Sequence, residues 1–248
     1  MSISADELWP GGPKFIRGNA FPLGTDSVLL ASFAEGKHAE RACDLGCGSG
    51  IIALLLAYNA PKLYVDGIEL QPEAAEIARQ NAELNGLSAR VDIITGDLRE
   101  YRELLPAGQY GLVTANPPYF PVGSGKVSST PSLALSRGEE TCTLSDICRA
   151  AAYLTKWGGS FLLVHKPERL SEALCTMSPL GLEPKRLRMV QYAATSAPNL
   201  VLIDARRGGK PGLTVLPPLI LTTPDGSDTE EVAKIYHREA SPCPENSI

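Results

Sequence analysis

No uninterrupted apolar run exceeds eight residues (51–58), well short of the roughly 18 to 20 that a helix needs to cross a bilayer. No membrane span is therefore expected. The opening Met-Ser-Ile-Ser-Ala-Asp-Glu has neither a basic start nor an apolar stretch, so no secretory signal is read there and a cytoplasmic location is expected. Histidine is scarce. The three present, His38, His165 and His237, are far apart, which removes sequence support for a His metal centre or a Ser-His-Asp triad. The six cysteines form no C-x-x-C pair, so free thiols are expected and no metal. Positive charge is also short: 23 Lys and Arg against 28 Asp and Glu leave a net −5, which argues against a protein that coats nucleic acid. Proline (20) and glycine (23) are at ordinary levels for 248 residues, excluding collagen-like and low-complexity chains.

What is present is an alternation of strand and helix patterns without a break in composition, expected to form one α/β domain. Strands are read at residues 41–45, 63–69, 91–95, 112–115, 160–165, 187–192 and 200–205. Helices follow at 51–58, from Pro72 to Gly86 with Ala74, Ile77, Ala78 and Leu84 inward, at 144–157 and at 168–177. Right-handed crossovers make this a doubly wound, mainly parallel seven-stranded sheet whose ligand crevice lies beyond the carboxyl ends of the strands. A lead segment (1–40) precedes this core (41–207). A small C-terminal addition (208–248) reads as a Pro-rich ribbon, a turn at Pro224-Asp225-Gly226 and a helix near 229–237. Residues 120–140, rich in Ser, Gly and Pro, read as a loop of the kind that covers a site.

Polar residues cluster at the strand ends. Asp44-Leu45-Gly46-Cys47-Gly48-Ser49-Gly50 sits between the first core strand and its helix, where residues without Cβ allow backbone to approach a ligand. The spacing is G-x-G-x-G with Ile51 at the sixth position, so neither the dinucleotide fingerprint nor a P-loop is matched. Asp44 is ill suited to pyrophosphate but suits the ammonium of a bound amino acid, which points towards S-adenosylmethionine. Glu69 follows Gly50 by 19 residues and ends the second strand, where a carboxylate can accept from both ribose hydroxyls. Asp97 can accept from an adenine amine while the N–H of Leu98 meets a ring nitrogen.

After the fourth strand stands Asn116-Pro117-Pro118-Tyr119. Two prolines remove two backbone donors, leaving acceptors. The Asn116 oxygen and the Pro117 carbonyl can each accept one proton of a substrate NH₂ group, favouring a pyramidal nitrogen, while Tyr119 stacks on a planar substrate. No strong general base is needed. Between residues 181 and 215 six basic residues (Lys185, Arg186, Arg188, Arg206, Arg207, Lys210) face two acidic ones, Glu183 and Asp204, so a local polyanion site stays open.

The glycine segment resembles motif I of the class I S-adenosylmethionine-dependent methyltransferases, and Asn116-Pro117-Pro118-Tyr119 resembles motif IV of their amino-methylating branch, which modifies adenine N6, cytosine N4, guanine N2 or glutamine N5. Phe21-Pro22-Leu23-Gly24-Thr25-Asp26-Ser27-Val28-Leu29-Leu30 is similar to the lead of the tRNA(Val) adenine-N6 methyltransferase family. The likeness continues through Tyr119-Phe120, Arg137-Gly138-Glu139, His165-Lys166-Pro167-Glu168-Arg169-Leu170, Glu183-Pro184-Lys185-Arg186 and Gly209-Lys210-Pro211-Gly212-Leu213. The resemblance implies a Rossmann-like fold, S-adenosylmethionine as cofactor, and an adenine near the anticodon of a tRNA as substrate. It also implies that Gly24, Thr25 and Asp26 close over the methionine end, beside Asp44, Gly46, Gly48, Gly50, Glu69, Asp97, Leu98 and Asn116. Lys14, Arg17, Lys185, Arg186 and Arg188 are the candidate phosphate contacts, with Tyr119 and Phe120 at the base. Arg206, Arg207 and Lys210 read as solvating a strand end. A monomer is expected.

Three rivals have distinct signatures. A protein glutamine-N5 methyltransferase shares the Asn-Pro-Pro-Tyr chemistry but resembles this chain only after an added N-terminal helical domain, whereas 43 residues precede Asp44 here. A non-catalytic cofactor-binding RNA module leaves Asn116 without a purpose. A nicotinamide oxidoreductase is opposed by the glycine spacing and by the lack of a hydride-transfer acid.

Overall fold

The computed structural model describes residues 5–16, 24–117 and 142–238. The seven expected strands are all present as β3 (Arg41–Leu45), β4 (Tyr64–Glu69), β5 (Val91–Thr95), β6 (Tyr110–Ala115), β7 (Thr155–His165), β8 (Leu182–Ala193) and β9 (Pro198–Arg207). Two short strands, β10 (Thr214–Val215) and β11 (Leu219–Thr222), extend the sheet to nine. They are the predicted Pro-rich ribbon, and they pair parallel to β8, so the C-terminal addition continues the sheet. The order is β10-β8-β9-β7-β6-β3-β4-β5, with β11 also on β8; β9 alone runs antiparallel to its neighbours. Crossovers reverse direction between β3 and β6, which opens the crevice at their carboxyl ends.

One face of the sheet is covered by α1 (Thr25–Phe33), α2 (Ile51–Asn59) and α3 (Pro72–Leu84), the other by α5 (Leu144–Leu154) and α6 (Leu170–Met177). Every residue of α2 from Ile51 to Ala57 is buried, as expected of a helix apolar on all sides. A four-residue α4 (Tyr101–Leu104) precedes β6, and α7 (Glu230–Ile235), N-capped by Thr229, ends the described chain. No described helix is long and apolar enough to cross a membrane.

Two local expectations are corrected. The helix read to residue 157 stops at Leu154: the Thr155 hydroxyl caps the Ala151 carbonyl at 2.6 Å, Thr155 pairs with Tyr110, and the poor helix formers Gly158 and Gly159 follow. Leu84 is exposed, and the buried residues of that turn are Asn81 and Ala82. The Asn81 amide accepts from the Ile16 N–H (2.7 Å) and donates to the Ser49 carbonyl (2.9 Å), tying lead strand β2 (Lys14–Ile16) to the glycine loop. The lead also forms structure the pattern did not show: β2 pairs with β1 (Ala5–Glu7), and α1 follows.

Candidate active site

The glycine loop leaves β3 and enters α2 with Gly46, Gly48 and Gly50 at φ of 67°, 56° and 82°, the left-handed region. A Cβ on Gly50 would lie 2.8 Å from the Ala78 Cβ, so this glycine lets α3 press against the loop; one on Gly46 would meet nothing within 4 Å. Gly46 faces open space. The loop is braced by Glu69 at the end of β4: one carboxylate oxygen accepts from the Gly48 N–H and the other from the Gln71 N–H, both at 2.8 Å. Burial raises the Glu69 pKa against these bonds and one from the Leu70 N–H, and the carboxylate keeps acceptor capacity for a ligand hydroxyl.

Asp44, one residue before the end of β3, is fully buried. Its Oδ1 accepts from the Thr114 hydroxyl of the adjacent strand at 2.8 Å, and its Oδ2 has no hydrogen-bond partner among the described residues. Burial, with Glu69 adding to it and the Thr114 bond opposing, pushes its pKa up to about 7. A buried carboxylate oxygen without a donor, beside a braced glycine loop, is a site for a cationic or N–H-bearing ligand.

Asn116 follows β6. Its amide nitrogen donates to the Ser27 hydroxyl of α1 at 2.8 Å, and the Ser27 N–H donates to Asp26 Oδ1 at 3.0 Å. Gly24 makes room for that carboxylate, since a Cβ there would overlap Asp26 Oδ1. The first turn of α1 is thus held over the end of β6. Pro117, buried, follows.

The structure therefore brings together Asp26, Asp44, Gly46, Gly48, Gly50, Glu69, Asn116 and Pro117, whereas Gly24 and Thr25 line a cavity against β8, β11 and α7. Asp97 and Leu98 stand after β5, two strands from β3, and both Asp97 oxygens are engaged by Arg99, whose guanidinium bonds lower the Asp97 pKa. The 185–188 cluster lies on β8, four strands from β3, ~19 Å at ordinary strand spacing. Arg186 pairs with buried Asp204 at 2.8 Å, Arg188 binds Glu231 through both nitrogens, and Lys185 donates to the Lys210 carbonyl. Lys14 is exposed on β2. Arg17, residues 21–23, Pro118, Tyr119, Phe120 and the loop with Arg137, Gly138 and Glu139 lie outside the described residues. Sequence reasoning missed Ser27, Thr114 and Asn81, ordinary polar residues whose partners are remote in sequence.

Residues 22–174 match the Methyltransferase small domain family. The chain belongs to that family. Within it, the chain is similar to proteins named tRNA1(Val) (adenine(37)-N6)-methyltransferase from Yersinia pestis and Yersinia pseudotuberculosis, at 44% identity over 102 residues. That stretch covers 41% of this chain and 41% of each relative, about two fifths of their length. Among solved structures, a predicted O-methyltransferase from Agrobacterium tumefaciens superposes with TM-score 0.71 at 24% identity, over 88% of this chain and 98% of that one. TrmN from Thermus thermophilus gives 0.53 at 21%, over 73% and 48%. These likenesses establish the fold as the Rossmann-like one of class I methyltransferases.

Proposed function

We propose that the chain is an S-adenosylmethionine-dependent N-methyltransferase acting on the N6 amine of an adenine in the anticodon loop of a tRNA, working as a cytoplasmic monomer of one domain. The Ser27–Asn116 hydrogen bond carries the reading: it ties the Asn116 side chain at the end of β6, the strand beside the glycine loop, to the first turn of α1. The names of the Yersinia relatives support the choice of adenine N6 in tRNA. An adenine amine is a weak nucleophile because its lone pair is delocalised. The Asn116 oxygen and the Pro117 carbonyl, each accepting one N–H, favour the pyramidal nitrogen that attacks and stabilise the positive charge that develops there.

The Asp44 environment fits the cofactor. Its unpartnered Oδ2 suits the ammonium of the methionine end, the glycine loop leaves room beside it, and the remaining acceptor capacity of Glu69 suits ribose hydroxyls. When bound, S-adenosylmethionine supplies a methyl group on a sulfonium as the electrophile. An anticodon-loop base is unpaired, so turning it into the crevice costs less than the few kcal/mol required in a duplex.

The test is to incubate the protein with labelled cofactor and bulk tRNA lacking the modification, digest to nucleosides and weigh the product. N6-methyladenosine is expected. Label in a protein glutamine, and none in nucleosides, would refute the reading.

A further inference from the structure

β8 and β9 run past the end of β7. His165, its last residue, pairs with Val201, which pairs with Met189, so residues 190–193 and 198–200 overhang the carboxyl edge where the crevice lies. β11 pairs along this overhang, Leu219 with Val190 and Thr222 with Ala193, and α7 then returns against α1. Between them is a cavity of about 310 Å³ lined by Thr25, Val28, Tyr192, Asp228, Tyr236 and Arg238, among others.

Its chemistry is specific. Tyr192 is 63% exposed at the end of β8. The Arg238 guanidinium stands 4.7 Å from the centre of the Tyr236 ring and pairs with Asp228 at 2.9 Å. Aromatic faces beside a planar cation and a carboxylate suit a flat heterocycle with donors and acceptors on its edge. Position narrows the ligand further. Thr25 and Val28 face the cavity, while Ser27 between them reaches Asn116 on another side of the helix. The cavity and the catalytic amide thus flank the first turn of α1, about one helix diameter apart, ~10–12 Å. That is within reach of a neighbouring nucleotide on the same strand.

We propose that this cavity holds a second nucleobase of the RNA, adjacent in the strand to the methylated adenine, stacked on Tyr192 with its edge met by Arg238 and Asp228. The inference rests on the proposed function in taking RNA as substrate. It assigns the C-terminal addition a task, and it gives an acidic protein a means of holding RNA that does not depend on phosphate charge.

The experiment measures methylation of an unmodified anticodon stem-loop by the full chain. Tyr192→Ala and Arg238→Ala should each raise KM for the RNA ~10-fold while kcat and the calorimetric affinity for S-adenosylhomocysteine stay at wild-type values, and Tyr192→Phe should restore KM. Replacing the nucleotides beside the target one at a time by abasic ones should yield one RNA for which wild type and Tyr192→Ala have equal KM. Unchanged KM in both alanine variants overturns the inference and leaves the function standing, provided wild type makes N6-methyladenosine. Failure of wild type to methylate the RNA overturns both.

Discussion

At the scale of single residues, the proposed reaction relies on two side chains held from a distance, Asn116 by Ser27 and Asp44 by Thr114. Asn116→Ala removes an acceptor that matters only as charge develops, so kcat should fall about 100- to 1000-fold while affinity for S-adenosylhomocysteine changes by less than about twofold. Ser27 positions that amide. Ser27→Ala should lower kcat about tenfold, the worth of one neutral hydrogen bond, and Ser27→Thr, which retains the hydroxyl, should recover most of it. Equal turnover for wild type and Ser27→Ala would remove the positioning role. Asp44 adds a pH dependence. Its pKa near 7 lies above the ordinary 3.8, so the folded protein holds a proton that the unfolded chain has lost between those values. The stability this contributes is present below the ordinary pKa and fades as pH rises to about 7. A ligand cation binds the ionised form, so affinity for S-adenosylhomocysteine should rise between about pH 6 and about pH 7, with proton release visible by calorimetry in buffers of different ionisation heat. Asp44→Asn should abolish both the slope and the proton release.

At the scale of elements, the glycine loop separates fold from binding. Gly50→Ala puts a side chain at φ 82° and its Cβ 2.8 Å from the Ala78 Cβ, so it incurs about 1–2 kcal/mol of backbone strain and about 1–3 kcal/mol of overpacking. Gly46→Ala incurs only the strain, because its Cβ points into open space. Denaturant midpoints should therefore fall further for Gly50→Ala, while calorimetry should find the larger loss of ligand affinity per unit of stability in Gly46→Ala; the reverse order would place the ligand elsewhere. These elements were legible because their cues are local: an acid, three glycines and a buried apolar run lie within 15 residues of one another. Ser27, Thr114 and Asn81 were not, since their partners lie 89, 70 and 65 residues away and the register between strands decides who meets whom. The end of α5 was misread for a related reason. Trp157 stands three residues after Leu154 at helical spacing, and only the pairing of Thr155 with Tyr110 shows that the chain has turned to strand.

At the scale of the whole molecule, net charge and its pairing constrain how the proposed RNA substrate is held. A net −5 leaves few cations to spare, and the cluster on β8 is tied into the fold. Arg186 shares Asp204 with Lys37, a buried carboxylate joining β9 to the segment after α1, and Arg188 clamps Glu231 of α7. The sequence left a polyanion site open at this cluster because the counter-charge of Arg188, Glu231, lies outside it on α7. Arg188→Ala should therefore lower stability, by about 1 kcal/mol for a half-exposed pair, and leave KM for tRNA unchanged. The same pairing limits the salt dependence. Single-stranded nucleic acid releases counterions with a slope of about 0.7 per phosphate contacted, so the two or three contacts that Lys14, Lys185 and Arg17 allow imply a rise of log KM with log salt of about 2 or less. Raising salt from about 50 to about 200 mM should then raise KM no more than about 16-fold, whereas six to ten duplex phosphate contacts lose about 1000-fold or more over that range. A steep slope would mean that RNA docks on cations other than these three, and that stacking at Tyr192 is secondary. A shallow slope that stays shallow in Tyr192→Ala while KM rises would assign the missing affinity to the cavity between α1 and α7.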